Sequence, residues 1–369
     1  MYLLLSCRNI LFFISGSSWI FAYYDSTQHA DATGRKFKAC CSVLDSNPEM
    51  INFIVQKTFL MEKRTIPSSY DGLNISLLVI RPETDPVAVM QISHGICGRK
   101  ERFIPFMQHM AANGVACIIN DHRGHGESIR SNDDLGYMYE GGYKALVSDM
   151  RDVTELAHKM FPGRPVFLLG HSMGSLAARI YIKENDADIY GLILCGTPFR
   201  NRFTGLGRKL FETVVRFGGG RIRPEIFQKL TSAGYNRKFR KEGHQVWTCS
   251  DPQVRQSVAA DPLCNYYCTA NASYNLLCML DEAYSERNWN TVSKTMGILL
   301  LSGGDDPCTK NGRSLEITEG IFRNAGYTHI RSKIYPGMRH EILNEKEKML
   351  VWNDIKDFIV NHPSFYHVP

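Results

Sequence analysis

The fold is decided by one stretch of sequence, Pro165-Val-Phe-Leu-Leu-Gly-His-Ser-Met-Gly174. Its apolar half has the length of a buried strand, and the following Ser175-Leu-Ala-Ala-Arg-Ile-Tyr181 predicts a helix. A Gly-x-Ser-x-Gly pentapeptide between a strand and a helix predicts a tight turn that exposes its serine at the carboxyl end of the sheet. The residues two before and two after Ser172 must be small in such a turn, and both are glycine. Ser172 is therefore a candidate nucleophile.

A nucleophilic serine needs an acid and a base, and without them Ser172 would be an ordinary serine in a glycine turn. The predicted strand Gly297–Ser302 ends in Gly303-Gly-Asp-Asp-Pro307. We favour Asp306 as the acid because the following proline biases it toward extended backbone, whereas Asp305 fits a solvated turn residue. His340 lies after a predicted strand, His329–Tyr335, and before a predicted helix that ends near Ile359. The order Ser, Asp, His is the one that an α/β-hydrolase requires.

An oxyanion hole is the fourth part of the predicted site. The predicted strand Val87–Ser93 leads into His94-Gly-Ile-Cys-Gly98, where a glycine lets the backbone turn an N–H toward a developing negative charge. We expect the donors to be the backbone N–H groups of Ile96 and of Met173, the residue after the candidate nucleophile.

Five motifs occur in order along roughly residues 55–360: His94-Gly95, Asp121-His-Arg-Gly-His-Gly-Glu-Ser128, Gly170-His-Ser-Met-Gly174, Ser302-Gly-Gly-Asp-Asp-Pro307 and Gly337-Met-Arg-His-Glu-Ile-Leu-Asn-Glu345. With them the chain resembles the α/β-hydrolase superfamily. Within it, the chain looks closest to the monoglyceride lipase and lysophospholipase-like branch, which is grouped with the serine aminopeptidase S33 domain. The resemblance implies a serine esterase or lipase that needs no cofactor.

The oxyanion loop departs from this family, which often carries an acidic residue and a histidine after the glycines. Here Cys97-Gly-Arg-Lys-Glu101 stands in that position, so we expect the Ile96 donor to be kept and the side-chain support of the loop to differ. The motif Asp121–Ser128 has the charges of a metal or phosphate site. We favour a structural turn in which Asp121 and Arg123 brace neighbouring loops.

Composition limits the class of protein. The 369 residues, 44% of them hydrophobic, suffice for one α/β core with an insertion. The net charge of +6 indicates no polyanion partner, and no nucleic-acid module is evident. The eleven cysteines lack paired zinc-ligand spacing and fit reduced thiols of a cytosolic enzyme, with Cys97 and Cys308 as candidates for oxidation near the site. We expect neither a metal nor a cofactor.

Alternating strands and helices predict an α/β-hydrolase fold, with a mostly parallel eight-stranded sheet covered by helices on both faces. Two antiparallel strands, Phe53–Ile66 and Leu73–Arg81, should open the sheet. We assign residues 51–199 and 296–369 to the core, and 200–295, too long for a loop, to a helical cap insertion. Residues 1–50 form an apolar extension outside the fold. A signal or anchor, a membrane-surface segment and a stretch upstream of the true start are the three interpretations.

The first half of the cap is basic, with twelve Lys and Arg against three Glu between Arg200 and Glu242. One hypothesis is contact with an anionic lipid surface, and a solvated helix face explains the charges equally well. We expect a cytoplasmic protein, with membrane-surface contact through the N-terminus or the basic cap left open. The cap also carries aromatic side chains that suit an acyl chain: Phe203, Phe211, Tyr266, Tyr267 and Tyr274.

These features predict acyl transfer to water through an acyl-enzyme. The substrate should be a small-molecule or lipid ester, with a monoacylglycerol or lysophospholipid as the first choice. The second is a peptide, because an S33 aminopeptidase could bind a free amine through Asp281, Glu282 or Glu286. A hydrolase-fold protein that only binds a ligand is the third interpretation.

Overall fold

The computed structural model describes residues 10–15, 18–23, 59–242 and 245–361. The chain divides into two units, Met1–Lys57 and Thr58–Pro369. In the first unit, the strands Ile10–Ser15 and Ser18–Tyr23 pair antiparallel, with Ile10 opposite Tyr23. The remainder of the extension predicted for residues 1–50 lies outside the described residues.

The second unit is built on an eight-stranded sheet, as predicted. Its strands are β1 Phe59–Pro67, β2 Asn74–Pro82, β3 Ala88–Ser93, β4 Val115–Asn120, β5 Val166–His171, β6 Gly191–Cys195, β7 Gly297–Gly303 and β8 Ile330–Tyr335. Their order across the sheet is β8-β7-β6-β5-β3-β4-β2-β1. The pairs β1–β2 and β2–β4 are antiparallel and all other pairs are parallel. The first strand was predicted from Phe53, and residues 53–58 lie outside the described part of the chain.

Helices cover both faces of this sheet. They are α1 Ile104–Ala112, α2 Gly142–Met160, α3 Met173–Asn185, α4 Thr204–Arg216, α5 Glu225–Asn236, α6 Pro252–Ala260, α7 Ala270–Ala283, α8 Arg313–Asn324 and α9 Lys348–Val360. Short 3-10 turns occur at Lys100–Phe103, Asn132–Asp134, Asp186–Asp188, Gly219–Arg221 and Arg237–Glu242. In the part of the chain that the structure describes, no helix is both long enough and apolar enough to cross a membrane.

Every residue of β3 to β7 is buried, because helices lie on both faces of these strands. One apolar core lies between the sheet and α2, α3 and α8, and the other between the sheet and α1 and α9. Helices α4 to α7 lie in the stretch predicted as a helical insertion, between β6 and β7. Of these, α7 packs on α2 and α3 and so joins the first core. The parallel strands point their carboxyl ends at one edge of the sheet, where the site lies.

Candidate active site

Ser172 occupies the turn between β5 and α3 in a strained backbone conformation. Its φ is +54° and its ψ is −118°, a combination that residues with a side chain rarely adopt. A Cβ on Gly174 would lie 2.0 Å from the Ser93 carbonyl oxygen, and one on Gly170 would lie 2.5 Å from the Gly174 oxygen. The steric demand for glycine that the sequence predicted is therefore present at both positions.

The structure brings Ser172, His340 and Asp306 together at the carboxyl edge of the sheet. His340 Nε2 lies 2.8 Å from Ser172 Oγ, and His340 Nδ1 lies 2.8 Å from Asp306 Oδ2. The backbone N–H of Cys308 donates to the other Asp306 oxygen at 2.8 Å. All three side chains are buried. In this arrangement Nδ1–H donates to the carboxylate and Nε2 accepts from the serine hydroxyl, which leaves the imidazole ready to take the serine proton.

Asp305, the other carboxylate at the end of β7, is directed away from His340. Its Oδ1 accepts a hydrogen bond from Lys238 Nζ at 2.5 Å. As the sequence predicted, Asp305 is a turn residue with a partly exposed side chain, and the structure adds a solvent-exposed ion pair with Lys238. The choice of Asp306 over Asp305 as the partner of His340 agrees with the geometry.

Charges around the site favour a proton on His340 during the reaction. Burial lowers the pKa of His340, but the Asp306 carboxylate and its hydrogen bond, together with Glu341, raise the pKa above its ordinary 6.5. The neighbouring His171 behaves in the opposite way, since burial and the His340 charge lower its pKa to about 4. His171 therefore stays neutral at neutral pH and does not compete for the positive charge.

Ile96 and Met173 are the predicted oxyanion donors, and each belongs to a turn that contacts or follows Ser172. The Met173 N–H is the first of α3 and has no acceptor within its helix. Ile96 lies in a turn closed by the Gly98 N–H, which donates to the Gly95 oxygen at 3.0 Å. A Cβ on Gly95 would lie 3.0 Å from Ser172 Cβ, so this turn passes directly against the serine. Among the described residues the Ile96 N–H donates to no backbone oxygen, as the predicted role of an oxyanion donor requires.

Lys100 supports the oxyanion loop, and sequence reasoning missed it. Its side chain is completely buried, with Nζ 2.6 Å from Asp121 Oδ2 and 2.7 Å from Glu127 Oε2. Burial lowers the pKa of Lys100, but the two carboxylates raise it above the ordinary value. The Lys100 backbone N–H also donates to Asp121, at 2.8 Å. Lys100 thus ties the segment after β3 to the loop after β4.

The motif Asp121–Ser128 is a structural brace, as predicted. Asp121 holds the oxyanion loop through Lys100, and the buried Arg123 pairs with Asp149 at 2.8 Å and with Asp71 at 2.9 Å. These contacts tie the loop after β4 to the loop before β2 and to α2.

Two further contacts at His340 were not predicted. The Trp247 ring, from the insertion, lies on the His340 ring with 5.0 Å between centroids and 41° between planes. Glu341, next to His340 in the chain, is paired with Arg102. Glu341 lies within the motif around His340, but no sequence pattern predicts either contact, because each forms only when distant segments pack.

Asp306, Cys308 and His340 also offer possible metal-ligand atoms within 4.8 Å of one another. Both ring nitrogens of His340 are already hydrogen-bonded, to Ser172 and to Asp306. The cluster therefore fits a proton relay better than a metal site.

A sequence model of the family described as serine aminopeptidase, S33, matches residues 84–347. The chain belongs to this family. One curated relative is the monoacylglycerol lipase of Mycolicibacterium smegmatis, which is 26% identical over 79% of this chain and 94% of its own length. The protein is accordingly a hydrolase.

Two solved structures share the fold of this S33 hydrolase. A thermostable carboxyl esterase from Bacillus coagulans, in complex with glycerol, has a TM-score of 0.74 and 24% identity, covering 82% of this chain and 98% of the esterase. A soluble variant of monoglyceride lipase from Saccharomyces cerevisiae, in complex with a substrate analog, has a TM-score of 0.64 and 21% identity, covering 84% and 97%. The architecture is the α/β-hydrolase fold.

Proposed function

We propose that this protein is a serine hydrolase of lipid-like esters that works through an acyl-enzyme. The observation that carries the proposal is the pair of 2.8 Å contacts that joins Ser172, His340 and Asp306 into a proton relay. The strained turn at Ser172 and the two predicted N–H donors supply the remaining parts of the mechanism.

In the first half-reaction, His340 Nε2 takes the proton of Ser172 as Oγ attacks the ester carbonyl carbon. The N–H groups of Ile96 and Met173 hold the oxyanion, and one such donor is worth about 3 kcal/mol in the transition state. The imidazolium, stabilised by Asp306, then gives its proton to the departing alcohol. Water attacks the acyl-enzyme by the same route, and Ser172 is regenerated.

Ester hydrolysis is favoured over aminopeptidase activity by the state of the acidic residues in the insertion. Asp281 is paired with Arg200 at 2.8 Å and with Arg208 at 2.9 Å, and Glu282 is paired with Lys183 at 2.5 Å. These carboxylates are neutralised and do not offer a free negative charge to a substrate amine. Glu286, the third candidate, is exposed and accepts a hydrogen bond from Asn324 at 3.5 Å.

A monoacylglycerol or a lysophospholipid is the proposed substrate class, supported by the relationship to a monoacylglycerol lipase over most of both chains. The predicted aromatic lining of an acyl pocket needs revision. Phe211 is buried against Phe227, with 4.8 Å between centroids, whereas Phe203 is mostly exposed. Trp247, in contact with His340, is better situated to meet a bound acyl chain.

The test compares Ser172→Ala with the wild type on p-nitrophenyl esters, monoacylglycerols of increasing chain length, lysophospholipids and aminoacyl-naphthylamides. We expect the variant to lose at least about 10³-fold in kcat and to lose labelling by a fluorophosphonate probe. Ser314→Ala is the matched control, because that buried hydroxyl has no hydrogen-bond partner among the described residues. Retained turnover in Ser172→Ala would refute the mechanism, and preferred cleavage of the naphthylamides would refute the ester class.

We also propose that α4 and α5 contact a lipid surface. Their exposed residues include large apolar side chains, with Phe217 82% exposed just after α4, along with Leu206, Leu210, Ile226 and Leu230. Basic residues surround them, at a net charge of +9 between Arg200 and Glu242. Exposed apolar side chains beside positive charge suit the boundary of an anionic membrane.

Vesicle sedimentation tests this contact. The double variant Leu206→Gln and Leu230→Gln should lose binding to anionic vesicles and keep its rate on a dispersed short-chain ester. Val292→Gln, an exposed apolar residue beyond α7, should bind like the wild type. Wild-type binding that is indifferent to anionic lipid and to salt would contradict the proposal.

A further inference from the structure

Two thiols from distant parts of the chain touch beside the oxyanion loop. Cys97 Sγ lies 3.5 Å from Cys268 Sγ, although the residues are 171 positions apart. Cys97 directly follows Ile96, and Cys268 directly precedes Thr269, the N-cap residue of α7. The sulfur atoms of a disulfide lie about 2.05 Å apart, so a movement of roughly 1.5 Å would bring these two to bonding distance.

Cys97 adopts a backbone conformation that favours glycine, which draws attention to its side chain. Cys97 has a φ of +55°, in the left-handed region that most residues with a side chain enter only at an energetic cost. Glycine would meet a purely conformational demand at lower cost. The feature that Cys97 adds to this turn is a half-buried thiol directed at Cys268.

Cys268 is held where it can meet Cys97. Its carbonyl accepts a hydrogen bond from Gln228 Nε2 at 3.0 Å, and Thr269 next to it donates to the Gly136 oxygen through both its N–H and its hydroxyl. A second contact joins the loop after β3 to the insertion, since Arg99 Nε lies 2.9 Å from Asp261 Oδ2. The two segments are thus already in contact, and joining their thiols requires no large movement.

We propose that Cys97 and Cys268 are a peroxide-sensitive pair, whose oxidation to a disulfide fixes the oxyanion loop to the insertion and lowers turnover. The oxidant is hydrogen peroxide or an organic hydroperoxide. The Cys97 sulfur attacks one peroxide oxygen, the O–O bond breaks, and a sulfenic acid forms while water or an alcohol leaves. The Cys268 sulfur then attacks the sulfenic sulfur, the S–O bond breaks, and a second molecule of water leaves. Two thiols lose two electrons and two protons, and the peroxide gains them.

The order of the two steps follows from exposure and protonation. Cys97 is half-buried and can meet the oxidant, whereas Cys268 is buried. The hydrogen bond with Cys97 and burial hold the pKa of Cys268 well above its ordinary value. Cys268 therefore remains a thiol until Cys97 is oxidised, and it acts as the resolving residue.

The effect on turnover rests on the proposed function, because it acts through the Ile96 donor. Drawing Cys97 toward Cys268 moves the adjoining Ile96 N–H away from the oxyanion, and the cross-link prevents the segment before α7 from separating from the loop. We expect the oxidised protein to hydrolyse esters at least tenfold more slowly, with recovery after treatment with a dithiol.

The experiment exposes the reduced full-length protein to hydrogen peroxide, blocks remaining thiols and maps linked peptides by mass spectrometry, with ester turnover measured in parallel. Cys97→Ser and Cys268→Ser should each abolish the link and keep turnover in peroxide. Cys278→Ser is the matched control, a half-buried thiol on α7 that should leave both results unchanged.

A wild-type map without the Cys97–Cys268 link overturns the proposal, whatever the folding of the variants. The proposal is also overturned if peroxide lowers the turnover of Cys97→Ser and Cys268→Ser as much as that of the wild type. Complete formation of the link in the wild type with unchanged turnover overturns it too. The peptide mapping does not depend on catalysis. If the Cys97–Cys268 link is found and Ser172→Ala is still active, the proposed function is refuted, but the proposal of a peroxide-sensitive thiol pair still stands.

Discussion

At the scale of single residues, Asp306 acts on His340 in two ways. It accepts the Nδ1–H at 2.8 Å and so fixes which nitrogen faces Ser172. It also supplies the charge that overcomes burial and raises the pKa of His340. Orientation and basicity thus come from one carboxylate, whose own position is fixed by the Cys308 N–H.

Replacing this carboxylate should change both rate and pH dependence. Asp306→Asn should lower kcat/KM by about 10⁴-fold, because an amide can donate to Nδ1 and favours the wrong tautomer. In the proposed mechanism His340 acts in its neutral form, so activity should fall as pH falls through its pKa. The acidic limb of the pH profile should therefore lie above pH 6.5 in the wild type and move to lower pH in Asp306→Asn. Profiles of kcat/KM against pH on a p-nitrophenyl ester would measure it.

Asp305→Asn is the matched control, because Asp305 faces Lys238 rather than His340. It should keep the wild-type limb and most of the rate. An unshifted limb in Asp306→Asn would contradict the role given to Asp306.

At the scale of elements, Glu242 and residues 245–250 of the insertion hold the loop that carries His340. Arg339 pairs with Glu242 at 2.7 Å and donates to the Val246 oxygen at 2.6 Å. The buried Glu345 accepts the Ser250 N–H at 2.9 Å. Trp247 completes this contact by lying on the His340 ring. The insertion is therefore part of what orients the base.

Trp247→Ala should free the His340 ring to rotate and lower kcat by roughly 10- to 100-fold on a short ester, because small displacements of a reacting group cost that much. Trp289→Ala removes an equally large ring that packs on Phe322 and Tyr327 instead. It should lower the melting temperature and leave kcat nearly unchanged. A wild-type kcat in Trp247→Ala would show that the ring contact does not orient the base.

At the scale of the whole molecule, buried neutral histidines link folding to pH. His94, the first residue of the predicted oxyanion loop, packs against His122 and His125, whose ring centroids lie 4.3 Å and 5.4 Å from that of His94. Burial lowers the pKa of His122 to about 3 and that of His125 to about 4. The folded chain keeps these rings neutral at a pH where the unfolded chain protonates them.

The free energy of unfolding should therefore fall as pH falls below 6.5. For a histidine whose folded pKa is lowered, stability is complete above the unfolded pKa and is lost as pH drops toward the folded value. Each such ring should remove about 1.4 kcal/mol per pH unit, down to about pH 4 for His125 and pH 3 for His122. Urea unfolding across this range would measure the slope.

His125→Gln should reduce that slope by about 1.4 kcal/mol per pH unit, which corresponds to one proton, if the variant remains folded at neutral pH. A flat profile between pH 6.5 and 4 would contradict the prediction.

Much of the fold and the chemistry could be read from local sequence. The glycines around Ser172 belong to a local turn pattern, although the atoms that exclude a side chain at Gly174 come from Ser93 and His94, and the strands buried on both faces are continuous apolar runs. Asp306 and His340 follow strands whose carboxyl ends meet at one edge. The ion pair of Asp305 could not be predicted from local sequence, because its partner Lys238 lies in the insertion.

The sequence by itself determined the α/β core and the order of the proposed nucleophile, acid and base, since each depends on a short local pattern or on strand polarity. Only the tertiary structure decided that Lys100 supports the oxyanion loop, that Trp247 covers His340 and that Cys97 meets Cys268. These contacts join segments far apart in the chain. They depend on how side chains pack across boundaries that no periodicity or spacing records.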